Sequence, residues 1–152
     1  MVETLVRFES ETVIPRPVDE VFARLADLAA YRQWMHRTGL FRRCAPTSDQ
    51  PVGKGTTYVD STRMGTFVGE VVEFEPPVRI GFVETLRWFG APVSQARPSY
   101  VLTGDGDTTV VHHVAVGELY GWMRLMRPGA AWMANRERSH TLRSLRRSFE
   151  SE

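Results

Sequence analysis

From Phe41 to Val116 the polarity of the chain alternates with period two, and short runs of turn residues interrupt it at close intervals. Period-two alternation is the pattern of strands with one buried face. The segments that carry it are Phe41 to Ala45, Thr56 to Thr62, Thr66 to Phe74, Arg79 to Arg87, Ser94 to Thr103 and Thr108 to Val116. Between them lie Pro51 to Gly55, Met64-Gly65, Pro76-Pro77 and Gly104-Asp105-Gly106-Asp107. Connections this short join sequential strands into an antiparallel meander.

The flanks of this block read differently. Leu5 to Ile14 alternates as a further strand, with Val6, Phe8, Ser10, Thr12 and Ile14 on one face. Pro15 and Pro17 stop it, and Pro17 suits the first turn of a helix, where its missing N–H is harmless. Asp19 and Glu20 favour the positive end of that helix, and Val18, Val21, Phe22, Leu25 and Leu28 give it an apolar face. A second short helical turn is expected at Tyr31 to Met35. At the other end a short helix or turn is expected from Leu119 to Met126, and a long helix from about Ala130 to Glu150 with Leu142, Leu145 and Phe149 as its stripe. Pro128-Gly129 is read as a break between the two. A curved antiparallel sheet needs its concave face covered, and the long terminal helix is the element able to do so.

The chain has 152 residues, 42% of them hydrophobic, which suits one domain, 1–152, with a core that needs no staples. No apolar run approaches the ~20 residues that span a bilayer. Met1 to Phe8 carries Glu3 and Arg7 and resembles neither a signal nor a transit peptide, so a cytoplasmic location is expected. Cys44 is the single cysteine, which excludes an internal disulfide and a cysteine-rich zinc site. The net charge of +1 sets up no strong field toward nucleic acid. Arginines do collect on the terminal helix, at Arg136, Arg138, Arg143, Arg146 and Arg147. They come without a recognition-helix or RNA-binding aromatic pattern and are interleaved with Glu137, Glu150 and Glu152, as on a solvated face.

Four groups of residues in order resemble those of the START/Bet v 1-like helix-grip superfamily, in its polyketide cyclase/dehydrase and lipid transport branch. Pro17, Val21, Phe22, Leu25, Asp27, Tyr31 and Trp34 match its first helix pair, and Gly53, Gly55 and Tyr58 match a strand entry. Glu75, Pro76, Pro77, Arg79, Ile80 and Phe82 match a hairpin, and Asp107, Thr109 and Val111 match the start of the last strand. The resemblance runs from about Leu5 to Phe149. It implies an α+β helix-grip fold. A curved seven-stranded antiparallel sheet, with two short helices after strand 1, grips a long C-terminal helix over its concave face, and a ligand cavity lies between them. These are scaffold residues, so no catalytic residue carries over by position.

Candidate site residues are polar groups that interrupt faces otherwise apolar. Val110, His112, Val114 and Val116 form the more apolar face of the last strand, which puts His112 inward. Ile80, Phe82, Glu84 and Leu86 share a face that Glu84 interrupts, and Ser10 and Thr12 interrupt the first strand. On the terminal helix, stepping back from Leu142 reaches Arg138 and Asn135. An unpaired buried polar group costs roughly 1–3 kcal/mol, so a hydrated cavity or an oxygen-bearing ligand is one way to satisfy them all.

His112 and Glu84 are the acid–base candidates, since histidine exchanges protons near neutral pH and burial raises a carboxyl toward the same range. The competing reading is a satisfied core histidine and an edge glutamate. Arg138 and Asn135 suit a carboxylate, phenolate or ketone oxygen, and equally a solvated helix face. Tyr58 and Asp60 share a strand face, and Tyr100 is counted with them as ligand-facing. Trp88, Phe89, Trp122, Met126, Trp132 and Met133 are the aromatic and methionine-rich group expected at the open end of the cavity. The same residues suit ordinary core or a homodimer contact. No metal site is expected, because His112 and His113 are adjacent on a strand and point to opposite faces.

Three functions fit these readings. One is a pocket protein for a hydrophobic or aromatic small molecule. Another is a cyclase/dehydratase in which His112 and Glu84 move protons. The third is a co-chaperone or ribosome-associated interaction module. None of them calls for a cofactor.

Overall fold

A computed structural model of the chain describes residues 4–28, 43–46, 52–62 and 65–150. The first strand, β1 (Thr4–Ile14), leads into helix α1 (Val18–Ala26). Strands β2 (Arg43–Pro46), β3 (Thr57–Thr62), β4 (Gly65–Glu75), β5 (Arg79–Trp88), β6 (Ala91–Asp105) and β7 (Thr108–Leu119) follow. A 3-10 helix (Gly121–Met126) and the long helix α2 (Arg127–Glu150) complete the chain. The strands form one antiparallel sheet in the order β1-β7-β6-β5-β4-β3-β2, so β1 returns to lie beside the last strand.

Short-range chemistry sets the boundaries. Pro17 stands at φ −60° immediately before α1, with Asp19 and Glu20 in the first turn and Val21, Phe22 and Leu25 buried. β6 and β7 are joined by Gly106-Asp107, with Asp105 opposite Thr108 and Gly106 at φ 61°. A two-residue turn with glycine first matches the twist of the strands it joins. Its register places Leu102 opposite Val111, Tyr100 opposite His113, Pro98 opposite Ala115 and Ala96 opposite Gly117.

The core is in two parts. In the larger, Leu142, Leu145 and Phe149 of α2 pack with Ile14, Leu102, Val111 and the buried face of α1. The smaller consists of Leu86, Val93, Leu119 and Met123, with Val6, Phe67 and Trp88 packed against it. The two lie toward opposite ends of the same sheet face, and the inner-face residues between them carry the polar groups described below.

Two expectations change. α2 is not broken at Pro128-Gly129; it starts at Arg127 and runs through both. Pro128 falls in the first turn, where N–H groups have no intrahelical acceptor to lose. The short helix or turn expected from Leu119 to Met126 is present as the 3-10 helix, but it begins at Gly121 because β7 runs through Leu119. The helical turn expected at Tyr31 to Met35 lies outside the described residues, as does the start of the Phe41 to Ala45 segment.

Candidate functional site

One cross-strand row carries the central polar contact. Tyr58 on β3 is opposite Gly69 on β4, Gly69 is opposite Glu84 on β5, and Glu84 is opposite Ala96 on β6. The Tyr58 ring lies over Gly69, where a Cβ would overlap the ring atoms. With no side chain in the way, Tyr58 spans the intervening strand and its hydroxyl donates to Glu84 Oε1 at 2.8 Å. Arg138 descends from α2 and sets Nη2 3.8 Å from Glu84 Oε2. Both charged side chains are largely buried, 15% and 14% exposed. An interior ion pair of this kind needs extra hydrogen bonds to offset desolvation, and Tyr58 supplies one.

Arg138 also faces Tyr100. Burial pushes the Tyr100 hydroxyl up to about 12, against the pull of the Arg138 charge and hydrogen bond and with a push from Glu84. Tyr100 therefore stays a neutral donor at physiological pH. Its ring stacks on His113, with centroids 4.2 Å apart and planes 12° from parallel. The aromatic wall continues in both directions: Tyr58 and Tyr100 each meet Phe82 edge-on, and Phe8 lies 5.7 Å from His113.

His113 is fully buried. Its Nδ1 lies 2.9 Å from the Ser99 carbonyl oxygen. Desolvation, and then the nearby Arg138 charge, push the imidazole down to about 3 in spite of that hydrogen bond. Among the described residues two buried side-chain atoms lack a hydrogen-bond partner, His113 Nε2 and Trp88 Nε1. Trp88 belongs to the smaller cluster, where its ring lies over Gly65 and 5.1 Å from the Trp122 ring.

Beyond His113 the inner face is small. Ala115 and Gly117 follow it on β7, with Pro98 and Ala96 opposite them on β6. Among the described residues, a Cβ added at Gly117 would meet only the carbonyl oxygens of Gln95 and Val6, both at 3.8 Å. Ala96 and Gly117 are only half-buried although they sit on central strands. The middle of the sheet is thus a depression with Glu84 and Arg138 at one side and Tyr100 and His113 at another.

The candidate residues separate accordingly. Tyr58, Glu84, Tyr100 and Arg138 are brought together. Ser10 lies opposite His113, and Thr12 opposite Val111, on the same inner face. His112 is corrected: it points outward, with Nε2 2.9 Å from Glu9 Oε1 and Nδ1 3.3 Å from Glu11 Oε2. The valines that share its face are only half-buried, so the more apolar face of β7 is the outer one. Asn135 is also corrected. It is exposed, as is every described side chain from Pro128 to Arg136 except Ala131. Its helical phase is reasonable, but its own side chain lies in solvent.

Trp122, Met126 and Trp132 are half or more exposed, and Phe89 is fully exposed at the tip of the β5–β6 hairpin. The side chains of Asp60 and Met133 lie outside the described residues. His113 is the residue that face-counting missed. The Gly106-Asp107 turn could have found it, since pairing Asp105 with Thr108 puts His113 opposite Tyr100. Among the described residues no cluster of three or more His, Cys, Asp or Glu side chains could hold a metal ion. No described helix is long and apolar enough to cross a membrane.

Comparison with known proteins gives a family and a fold. Residues 6–150 match the family described as polyketide cyclase / dehydrase and lipid transport. No curated protein matches the chain. A START superfamily protein from Mycobacterium smegmatis is similar in structure, with a TM-score of 0.71 at 13% identity over 96% of this chain and 98% of that one. A conserved protein from Geobacillus kaustophilus has a TM-score of 0.74 at 14% identity, covering 97% of this chain and 96% of that one. Norcoclaurine synthase from Thalictrum flavum, solved with dopamine and hydroxybenzaldehyde, has a TM-score of 0.72 at 9% identity, covering 99% and 89%. At these identities the likeness is one of fold.

Proposed function

We propose that this chain, which belongs to the polyketide cyclase/dehydrase and lipid transport family, binds an oxygenated hydrophobic or aromatic small molecule between the sheet and α2, as a single domain. One observation carries the reading. The Tyr58–Glu84–Arg138 contacts are kept inside, over a depression of small residues between two apolar clusters. A solid core would more cheaply hold apolar side chains there. The aromatic wall of Tyr58, Phe82 and Tyr100 offers ring edges and faces to a planar ligand. A protein of the same fold has been solved with two aromatic ligands, dopamine and hydroxybenzaldehyde, so ligands of that class are compatible with the scaffold.

In the enzymatic form of this reading Glu84 exchanges a proton with the bound ligand during aldol closure or water loss. Arg138 steadies the developing oxyanion, and the wall fixes the reacting chain. In the alternative form the same groups only orient the ligand, and the protein is a carrier. Thermal-shift assays with a hydroxylated aromatic polyketide and with palmitate test the binding step: stabilisation by the first and not the second is expected. Equal silence toward both contradicts it. Glu84→Gln separates the two forms, because the enzyme loses turnover while retaining the ligand.

A further inference from the structure

We propose that the ligand presents a hydroxyl group to His113, which serves as a buried, neutral hydrogen-bond acceptor selecting phenol- or enol-bearing molecules over their ethers and carboxylates. This deepens the functional reading above and rests on it. A carbonyl oxygen can only accept, so the Nδ1 atom 2.9 Å from Ser99 O carries the ring proton. With the ring neutral, Nε2 holds a lone pair. That atom is buried and has no partner among the described residues, in a side chain with 0% exposure. Proteins rarely leave an interior acceptor unmet, and such orphans collect where a ligand or water completes them.

The surroundings select the partner. Tyr100 covers one face of the imidazole, and its hydroxyl is engaged with Arg138. Ala115 and Pro98 beside the imidazole are small and buried, and farther along the same face Ala96 and Gly117 are half-buried, so the room lies there. Arg138, the positive group of this cluster, is already set against Glu84. An anionic oxygen brought to Nε2 would therefore meet a lone pair, while a hydroxyl would donate to it. An ether of the same shape would leave the acceptor unpaired. Sites built to hydrogen-bond a hydroxyl discriminate strongly against analogues that lack it.

The test uses 2-naphthol, 2-methoxynaphthalene and 2-naphthoate, titrated into the full chain and into His113→Phe. The variant keeps an aromatic ring against Tyr100. The wild type is expected to bind 2-naphthol about tenfold or more tightly than 2-methoxynaphthalene and 2-naphthoate. In His113→Phe the preference for 2-naphthol over the ether should shrink to about twofold or less. Equal affinity for naphthol and ether in the wild type, or a preference that survives in the variant, overturns the proposal alone. Failure of all three probes to bind overturns it together with the reading it rests on. Should the variant not fold, the wild-type 15N resonance of His113 Nε2 decides: an upfield shift with 2-naphthol and none with the ether supports the proposal, and no shift with naphthol overturns it.

Discussion

Tyr100 and His113 face each other across β6 and β7 with their rings stacked 4.2 Å apart, and each is shifted away from its charged form. The pair brings an uncharged phenol and an uncharged imidazole into an interior that also holds the charged Glu84 and Arg138.

The imidazole of His113 should make folding pH-dependent. Its folded-state value is near 3, below the ~6.5 of an unfolded histidine. Between those limits the unfolded chain binds the extra proton, so stability falls as pH drops below about 6.5, by up to ~1.4 kcal/mol per pH unit from this group. Above that range the group contributes no slope. The charged groups acting on it are Arg138 and His112, and Ser99 holds its Nδ1. Urea midpoints between pH 7 and pH 4 should fall more steeply in the wild type than in His113→Phe. Parallel curves would show that the imidazole ionises freely in the folded protein.

Gly69 is predicted to be required by Tyr58 and by little else. Gly69→Ala places a methyl group in the space of the Tyr58 ring and should cost about 1–3 kcal/mol. In a Tyr58→Ala background the same change should be nearly neutral, giving a coupling energy of similar size. Additive effects in chemical denaturation would contradict the packing described.

Arg138→Met leaves the largely buried Glu84 carboxylate without its cation and should destabilise the fold by about 3 kcal/mol. Adding Glu84→Leu should recover most of that loss, because the pair is then replaced by apolar surface. A double variant weaker than Arg138→Met alone would mean that Glu84 is supported by Tyr58 rather than by the arginine.

Phe89 stands at φ 50°, fully exposed, beside Gly90 at φ 82°. Both central positions of this hairpin turn require a positive φ, which suits asparagine better than phenylalanine. Phe89→Asn should stabilise the protein by about 0.5–1 kcal/mol, or a few degrees in Tm. A lower Tm would indicate a packing role for the ring that its exposure does not suggest.

The sequence was informative where one residue's surroundings decide the outcome. Ile80, Phe82, Glu84 and Leu86 alternate in plain view, so the side of β5 that carries the glutamate can be counted off. Arg138 follows in the same way from its spacing to Leu142 on the helix. His112 and His113 show where counting fails. Relative apolarity chose the wrong face of β7, because half-buried valines on the outer face outweigh Ala115 and Gly117 on the inner one. The register of the Gly106-Asp107 turn carried the answer, since it sets His113 opposite Tyr100, a residue already counted as ligand-facing. The Tyr58–Glu84 contact was less accessible still. It links residues 26 apart across an intervening strand and depends on a glycine in that strand. Asn135 failed for another reason: helical phase says which way a side chain points, not whether anything packs there.

Filling the depression at the centre of the sheet separates a ligand held there from one bound elsewhere. Gly117→Leu builds out from a position where, among the described residues, a Cβ meets only two carbonyl oxygens, so the variant should fold with a Tm close to that of the wild type. Calorimetric titration of 2-naphthol is expected to give saturable binding to the wild type and at least tenfold weaker binding to Gly117→Leu. Unchanged affinity in a folded Gly117→Leu variant would place the ligand elsewhere and contradict the account.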